Sequence, residues 1–149
     1  MKIKLSVSDE HYESVKQSLE EHGIGIDDDA KYILSENDRF PGHLTVRDED
    51  GSKKLISVDD IVTIESYGHN VEIHTADNVF KTSDRLYQLT AVLDPEVFLR
   101  VSNSVIIAKK QVREIIPTFS MKFILKMKNG SRVDVTRSYY SRFKAFFGI

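Results

Sequence analysis

The stretch that decides the fold is Met121-Lys122-Phe123-Ile124-Leu125-Lys126-Met127-Lys128-Asn129-Gly130-Ser131-Arg132-Val133-Asp134-Val135. Asn129-Gly130 at its centre is the strongest two-residue hairpin signal in the chain, because Asn and Gly are the residues that most readily take the positive φ of a tight hairpin turn. Residues 121–128 and 131–135 on either side therefore predict two antiparallel strands. Working outward, residues 112–118 and 98–108 read as further strands. On the other side, Ser138 is a candidate cap for a last short helix. Tyr139, Phe143 and Phe146 fall near i, i+4 and i+7 of that helix and predict the face that docks it on a sheet.

The same pattern continues upstream. Residues 43–47 and 54–58 flank Asp48-Glu49-Asp50-Gly51, a hairpin-like connection. Residues 61–67 and 71–75 flank Gly68-His69-Asn70, and residues 79–82 follow the turn Asp77-Asn78. Ser83 then caps a predicted helix with Leu86, Leu89 and Leu93 on one face, closed by Asp94-Pro95. The best boundary is residues 36–42, which are polar and end in Pro41-Gly42. Before it, Ile3, Leu5 and Val7 alternate as in a half-buried strand. A short helix follows, with Ser8 as cap, Asp9 and Glu10 in its first turn, a stripe of Tyr12, Val15 and Leu19, and Gly23 as stop. Residues 30–35 are the next strand candidate. The expectation is a mostly β, antiparallel domain with short helices over residues 43–149, preceded by a small β-α-β unit over residues 1–40. That unit is too small to bury a core of its own.

A length of 149 residues suits one domain with a small appendage, and 40% hydrophobic residues are enough for a globular core. The absence of cysteine excludes disulfides and thiolate metal sites. No stretch has the length of a signal-peptide core or a membrane span, so a cytoplasmic protein is expected. Enzyme signatures are missing: there is no Gly-rich phosphate loop, no His-Glu-x-x-His and no nucleophile elbow. Asp27-Asp28-Asp29 reads as a solvated turn. His69 and His74 are five apart on a predicted strand and point to opposite faces, so no shared metal is expected. No catalytic residue, metal or cofactor is assigned.

Charge is unevenly spread. Residues 100–149 hold eleven Lys/Arg against two carboxylates, Glu114 and Asp134, or +9. The total of −2 then leaves −11 on residues 1–99. Basic residues gathered in one part of a fold suit a polyanionic partner, the plain alternative being a well-solvated basic surface. Within the basic part, apolar residues flank Ser102-Asn103-Ser104. Asn offers a donor and an acceptor together, which matches adenine in the major groove, and Ser adapts to either. A simple turn accounts for the same three residues.

The order of four segments is informative. Ile64-Glu65 lies in the first, and the helix Ser83-Asp84-Arg85-Leu86-Tyr87-Gln88-Leu89 comes next. Phe98-x-Arg100-x-x-x-Ser104 and Val135-Thr136-Arg137-x-x-Tyr140 follow. This succession, over roughly residues 43–149, resembles the LytTR family of bacterial DNA-binding domains. The resemblance implies an elongated antiparallel β fold that reads the major groove through three connections. Carried over, these are Gly68-His69-Asn70, Ser102-Asn103-Ser104 and the residues after the last strand. His69, with Asn70 beside it, becomes a base or phosphate contact, Asn103 a base reader between Ser102 and Ser104, and Arg137 a bidentate guanine reader. Ser138, Arg142 and Lys144 suit phosphates. Ser102 stands where the family often has His, Ala108 where it often has Asn, and Thr136 where it has Ser. The Ala108 change removes a polar turn-former.

Structural roles stand beside these. Arg100 pairs with a neighbouring carboxylate, Glu65 serves as a structural partner, Arg137 pairs with Asp134, or His69 is exposed and idle. Tyr139, Phe143 and Phe146 read as core. The expected function is a bacterial-type transcription regulator that binds double-stranded DNA sequence-specifically, without catalysis. The alternative is a non-enzymatic protein-interaction or ligand-sensing module with a basic face. Residues 1–40 carry ten acidic and five basic residues, a charge of −5 that argues against DNA contact. They are expected to mediate homodimerisation, or to bind a regulatory or membrane-bound inhibitor protein, through a free strand edge. Equally open is that they only cover one face of the β domain.

Overall fold

A computed structural model describes residues 1–36 and 40–149. Asn37, Asp38 and Arg39, inside the expected boundary at residues 36–42, lie outside the described residues. The chain divides into two units, Met1–Phe40 and Pro41–Ile149.

In the first unit, β1 (Lys2–Ser6) leads to α1 (Asp9–Glu21), then β2 (Gly25–Ile26) and β3 (Tyr32–Ser35). β1 is the central strand and pairs in parallel with both neighbours. Ile3 and Leu5 alternate with exposed residues and are buried, as the period of two requires. Ser8 precedes α1, but its hydroxyl does not cap the helix. It donates to Glu36 Oε1 at 2.9 Å, and the Ser8 N–H donates to the same oxygen at 2.7 Å. Those bonds hold the Glu36 carboxyl below the usual carboxylate range. Gly23 (φ +79°) ends the helix as expected: its N–H meets the Glu20 carbonyl and the Ile24 N–H the Leu19 carbonyl. β2 is an addition to the β-α-β expectation, too short to show a periodicity.

The second unit is β-rich. One seven-stranded sheet contains β4 (His43–Arg47), β5 (Lys53–Ser57), β6 (Thr63–Tyr67), β7 (Asn70–His74), β8 (Val79–Thr82), β9 (Phe98–Arg100) and β10 (Val105–Ala108). Its order is β5-β4-β8-β7-β6-β10-β9, with antiparallel pairing throughout. A three-stranded antiparallel sheet orders β11 (Val112–Pro117), β12 (Phe123–Met127) and β13 (Arg132–Val135). Two short helices complete it, α2 (Leu86–Val92) and α3 (Tyr140–Phe147).

Two cores occupy the two faces of the larger sheet. Ile64, Ile73, Ile106 and Ala108 pack with Leu86, Leu89 and Leu93 under α2. Val62, Val101 and Ile107 pack instead with Phe123, Leu125, Met127, Val135 and Phe143, joining the smaller sheet and α3. Consecutive residues of β10 thus enter different cores, which is why this strand is an unbroken apolar run.

Several local expectations change. Residues 98–108 are not one strand: the Val101 N–H donates to the Val105 carbonyl (2.9 Å), and residues 102–104 form a turn. Polar side chains that bond their own backbone compete there with the ladder. Asn129-Gly130 does make the hairpin, but with Lys128 included in the loop. The Gly130 N–H meets the Met127 carbonyl, only Gly130 takes positive φ (+87°), and Asn129 Oδ1 accepts from the Ser131 N–H and hydroxyl. Helix α2 is preceded by Arg85 rather than Ser83, because Gln88 Oε1 satisfies the Arg85 N–H at 2.8 Å. A 3-10 turn over Arg137–Tyr139 precedes α3, so Ser138 lies inside the turn and caps nothing. Phe143 is fully buried, whereas Phe146 is half-buried and Phe147 packs on the core in its place. The turn after Ala108 is held by backbone: the Ala108 N–H meets the Val62 carbonyl and the Lys109 N–H the Val97 carbonyl.

Candidate nucleic-acid interface

Three connections of the second unit are held by bonds from segments distant in sequence. The first is the β6–β7 turn. Tyr67 pairs with Asn70, which leaves Gly68 (φ +62°) and His69 as a two-residue loop with Gly where positive φ is needed. His69 and Asn70 are exposed at its tip. The Arg85 guanidinium donates to the His69 carbonyl at 3.2 Å.

The second is the β9–β10 turn. Arg100 reaches over it and donates to the carbonyls of Ser102 (3.2 Å) and Asn103. The expected carboxylate partner of Arg100 is therefore replaced by two backbone oxygens. Ser102 is buried, at 8% exposure, and its Oγ accepts from the Ser104 N–H at 3.2 Å. It shapes the loop from inside and, unlike its exposed neighbours Asn103 and Ser104, does not present a surface for DNA. The Ser66 N–H donates to the Ser104 carbonyl at 2.8 Å, which fastens this turn to β6.

The third connection follows β13. The Thr136 N–H donates to the Val101 carbonyl at 3.0 Å, and the Tyr139 hydroxyl donates to Asn103 Oδ1 at 3.2 Å. That second bond orients Asn103 and leaves its amide N–H groups for an acceptor. Asp134 pairs with Arg132 at 3.3 Å, and Arg137 is exposed with no partner among the described residues. Ser138 and Arg142 are exposed as well. Arg142 lies over the Tyr139 ring at 5.5 Å, and the half-buried Lys144 over the Tyr140 ring at 5.5 Å.

Arg85, Arg100 and Asn103 line one shallow hollow with Ser66, Val71 and Leu86. Arg85 belongs to this region although sequence gave it no role, since it looked like a helix-surface residue. The Tyr139 hydroxyl was missed because an aromatic at core spacing hides its polar end. Arg100 resembled an ordinary strand residue, and only the turn it spans reveals what it holds.

Behind the turns lies a polar pair on the sheet. Glu65 Oε2 is 2.9 Å from His74 Nε2, an ion pair whenever the imidazole carries its proton. Thr63 and Tyr67 hydroxyls donate to the same carboxylate, at 3.2 and 3.1 Å. His74 holds the Glu65 carboxyl below its usual range, and Glu65 raises the imidazole above its own. Glu65 is thus a structural partner, and His74 is engaged on the sheet while His69 is at a loop tip. Among the described residues no group of His, Cys, Asp or Glu has the makings of a metal site, and no helix is long and apolar enough to cross a membrane.

The +9 block does not form one cationic edge. Arg100, Arg137, Arg142 and Lys144 lie by the three connections. Lys109 and Lys110 follow the far end of β10, and Lys128 sits in the β12–β13 loop, its N–H on the Gln111 carbonyl. The strands separate what the sequence groups.

Residues 51–148 match the family model of the LytTr DNA-binding domain. The transcriptional regulatory protein LytR of Staphylococcus aureus (strain N315) is 27% identical over 95 residues, 64% of this chain and 39% of that protein. The sensory transduction proteins LytT of Bacillus subtilis (strain 168) and Bacillus anthracis are 28% and 33% identical over the same shares. The match thus spans about two-fifths of the length of these relatives. A solved LytTr DNA-binding domain from Bacillus cereus shares the fold, with a TM-score of 0.69 and 23% identity over 73% of this chain and 99% of that one. With its family model matched over most of the second unit, the chain belongs to the LytTr DNA-binding domain family.

Proposed function

We infer that this chain is a bacterial-type transcription regulator that binds duplex DNA sequence-specifically and performs no covalent chemistry. The observation that carries this reading is a set of bonds between segments distant in sequence: Tyr139 to Asn103 and Thr136 to Val101 join the third connection to the second, Ser66 to Ser104 fastens the second to β6, and Arg85 holds the His69 carbonyl of the first. Exposed side chains carried on such backbone-bonded connections suit base readout. Asn103 reads a base edge with its free amide donors, Arg137 takes a guanine through its planar fork, and His69 contacts a base or phosphate. Asn70, Ser104, Ser138, Arg142 and Lys144 serve the backbone, which fixes register and supplies affinity through counterion release. Ser102 supports the loop.

Selection from random duplexes with the whole chain tests this. A recovered consensus is expected. Retention on heparin with no enriched sequence would favour an interaction module with a basic face instead.

Residues 1–40 act as a separate domain that binds a partner, either a second copy or a regulatory or membrane-bound inhibitor protein. Two features support this: β3 is an edge strand with Tyr32, Ile33 and Leu34 exposed, and the unit's charge is −5. Sedimentation of the chain with and without residues 1–36 tests self-association, which is expected to fall on deletion. The working compartment is the cytoplasm, where such DNA is reached.

A further inference from the structure

We propose that the β11–β12 hairpin tip is a further DNA contact, with Phe119 as a wedge that enters the minor groove and bends the duplex. The inference rests on the DNA-binding reading above.

Phe119 is fully exposed, at 112%, and Met121 beside it is 48% exposed. An aromatic ring without packing neighbours at a hairpin apex stabilises nothing in the unit itself. The tip is nevertheless held in shape. The Thr118 N–H and hydroxyl both donate to the Lys122 carbonyl, at 3.1 and 2.9 Å. Met121 takes φ +57°, a region few non-glycine residues enter. The ring is therefore presented on a short, closed turn.

Its place relative to Arg137 follows from register. Pro117 pairs with Phe123, and Phe123 pairs with Val135, two residues before Arg137. The tip and Arg137 thus leave the same end of the smaller sheet, two strand spacings or about 10 Å apart. Tyr140 stacks on Phe123 at 5.0 Å and keeps the start of α3 at that end. With Arg137 in the major groove, a tip some 10 Å away reaches across one phosphate backbone to the adjoining minor groove. The charge at the tip suits that path: Lys122 directly follows the turn, and no carboxylate lies between Ile115 and Val133, while Lys126 and Arg132 are paired further along the sheet with Glu114 and Asp134. An apolar side chain beside a cation is the composition of wedges that part a base step and bend DNA toward the major groove.

The test uses the whole chain and a duplex recovered by selection with it. Permuted fragments report bending, and 2-aminopurine placed at steps flanking the consensus reports unstacking. The wild type is expected to bend the duplex and raise the fluorescence at one step. Phe119→Ala should lose both signals and bind roughly ten-fold more weakly, the scale of one lost stacking contact. It should still recover the same consensus and melt at the same temperature, since the ring packs on nothing. Phe119→Trp should keep the bend. Equal bending by Phe119→Ala, or a silent probe at every flanking step, overturns the wedge while leaving base readout intact. Failure of the wild type to enrich any sequence overturns the DNA reading and the wedge with it.

Discussion

The two ends of the seven-stranded sheet are built alike and charged differently. At one end, short turns present His69 and Asn103, and Arg85 and Arg100 clamp backbone oxygens beneath them. At the other, the turns carry Asp48, Glu49, Asp50, Asp59, Asp60 and Asp77 around shallow hollows over Phe80. Lys54 reaches Asp48 there at 3.7 Å, an exposed pair of small worth. Backbone geometry does not distinguish the ends, since both are antiparallel turns. Side-chain charge does: a polyanion is favoured beside arginines and disfavoured beside carboxylates. The basic half of the sequence contributes only in part, because Lys109, Lys110 and Lys128 sit by the acidic end and offset it.

The largest test of this contrast is mechanical. Phe143 is fully buried and touches both Phe123 (4.9 Å) and Phe147 (4.7 Å). Phe143→Ala should destabilise the chain by about 3–5 kcal/mol in urea titration, the usual cost of emptying such a site. It should loosen α3 and the Tyr139–Asn103 bond with it. Specific binding would then fall faster than non-specific binding. A stable variant with unchanged discrimination would show that the third connection does not depend on α3.

Arg137→Ala comes next. Loss of about 1–3 kcal/mol on the selected duplex, with relaxed preference at one position, is the expected outcome in mobility-shift assays. Asp77→Asn, at the other end, should leave that preference intact. Equal losses by Arg137→Ala on selected and random duplexes would reduce Arg137 to a phosphate contact. The salt dependence separates the ends further. Lys144→Ala should lower the slope of log affinity against log salt by about one, and Lys128→Ala should leave it unchanged. Matching slopes for the two variants would mean that the far end also lies on DNA.

Much of this was legible in the sequence, for reasons that particular residues make plain. Ile3 and Leu5 alternate because one face of β1 is wet, and Leu86, Leu89 and Leu93 recur because one face of α2 is dry. Both signals are local. The failures are non-local. Residues 98–108 look like one strand because β9 and β10 are both apolar, and the turn between them depends on Ser102 folding back on Ser104. Phe146 and Phe147 both lie about one turn after Phe143 in a helix pattern, yet Phe147 is the one that packs on the core. Asn103 was singled out for its chemistry, yet its orientation comes from Tyr139, thirty-six residues away. Arg85 has no sequence signal at all.

The smallest expected effect lies between the ends, at Glu65 and His74. The imidazole faces Glu65 at 2.9 Å and Glu72 at 3.9 Å on the neighbouring and its own strand. Its raised pKa means that the folded state holds the proton more tightly than the unfolded chain, whose value is near 6.5. That stabilisation is complete below about pH 6.5 and is lost as pH rises through the higher folded value. Glu65 has the opposite sign: its lowered pKa stabilises above about 4.5 and fails as pH falls through the folded value. The pair therefore stabilises most between about pH 4.5 and 6.5. For a partly buried pair the effect is about 1 kcal/mol. His74→Gln should remove it, so urea midpoints of wild type and variant should diverge most near pH 5.5 and converge by pH 9. Parallel midpoints over that range would mean that His74 is neutral throughout and that Glu65 is held by its two hydroxyl donors alone.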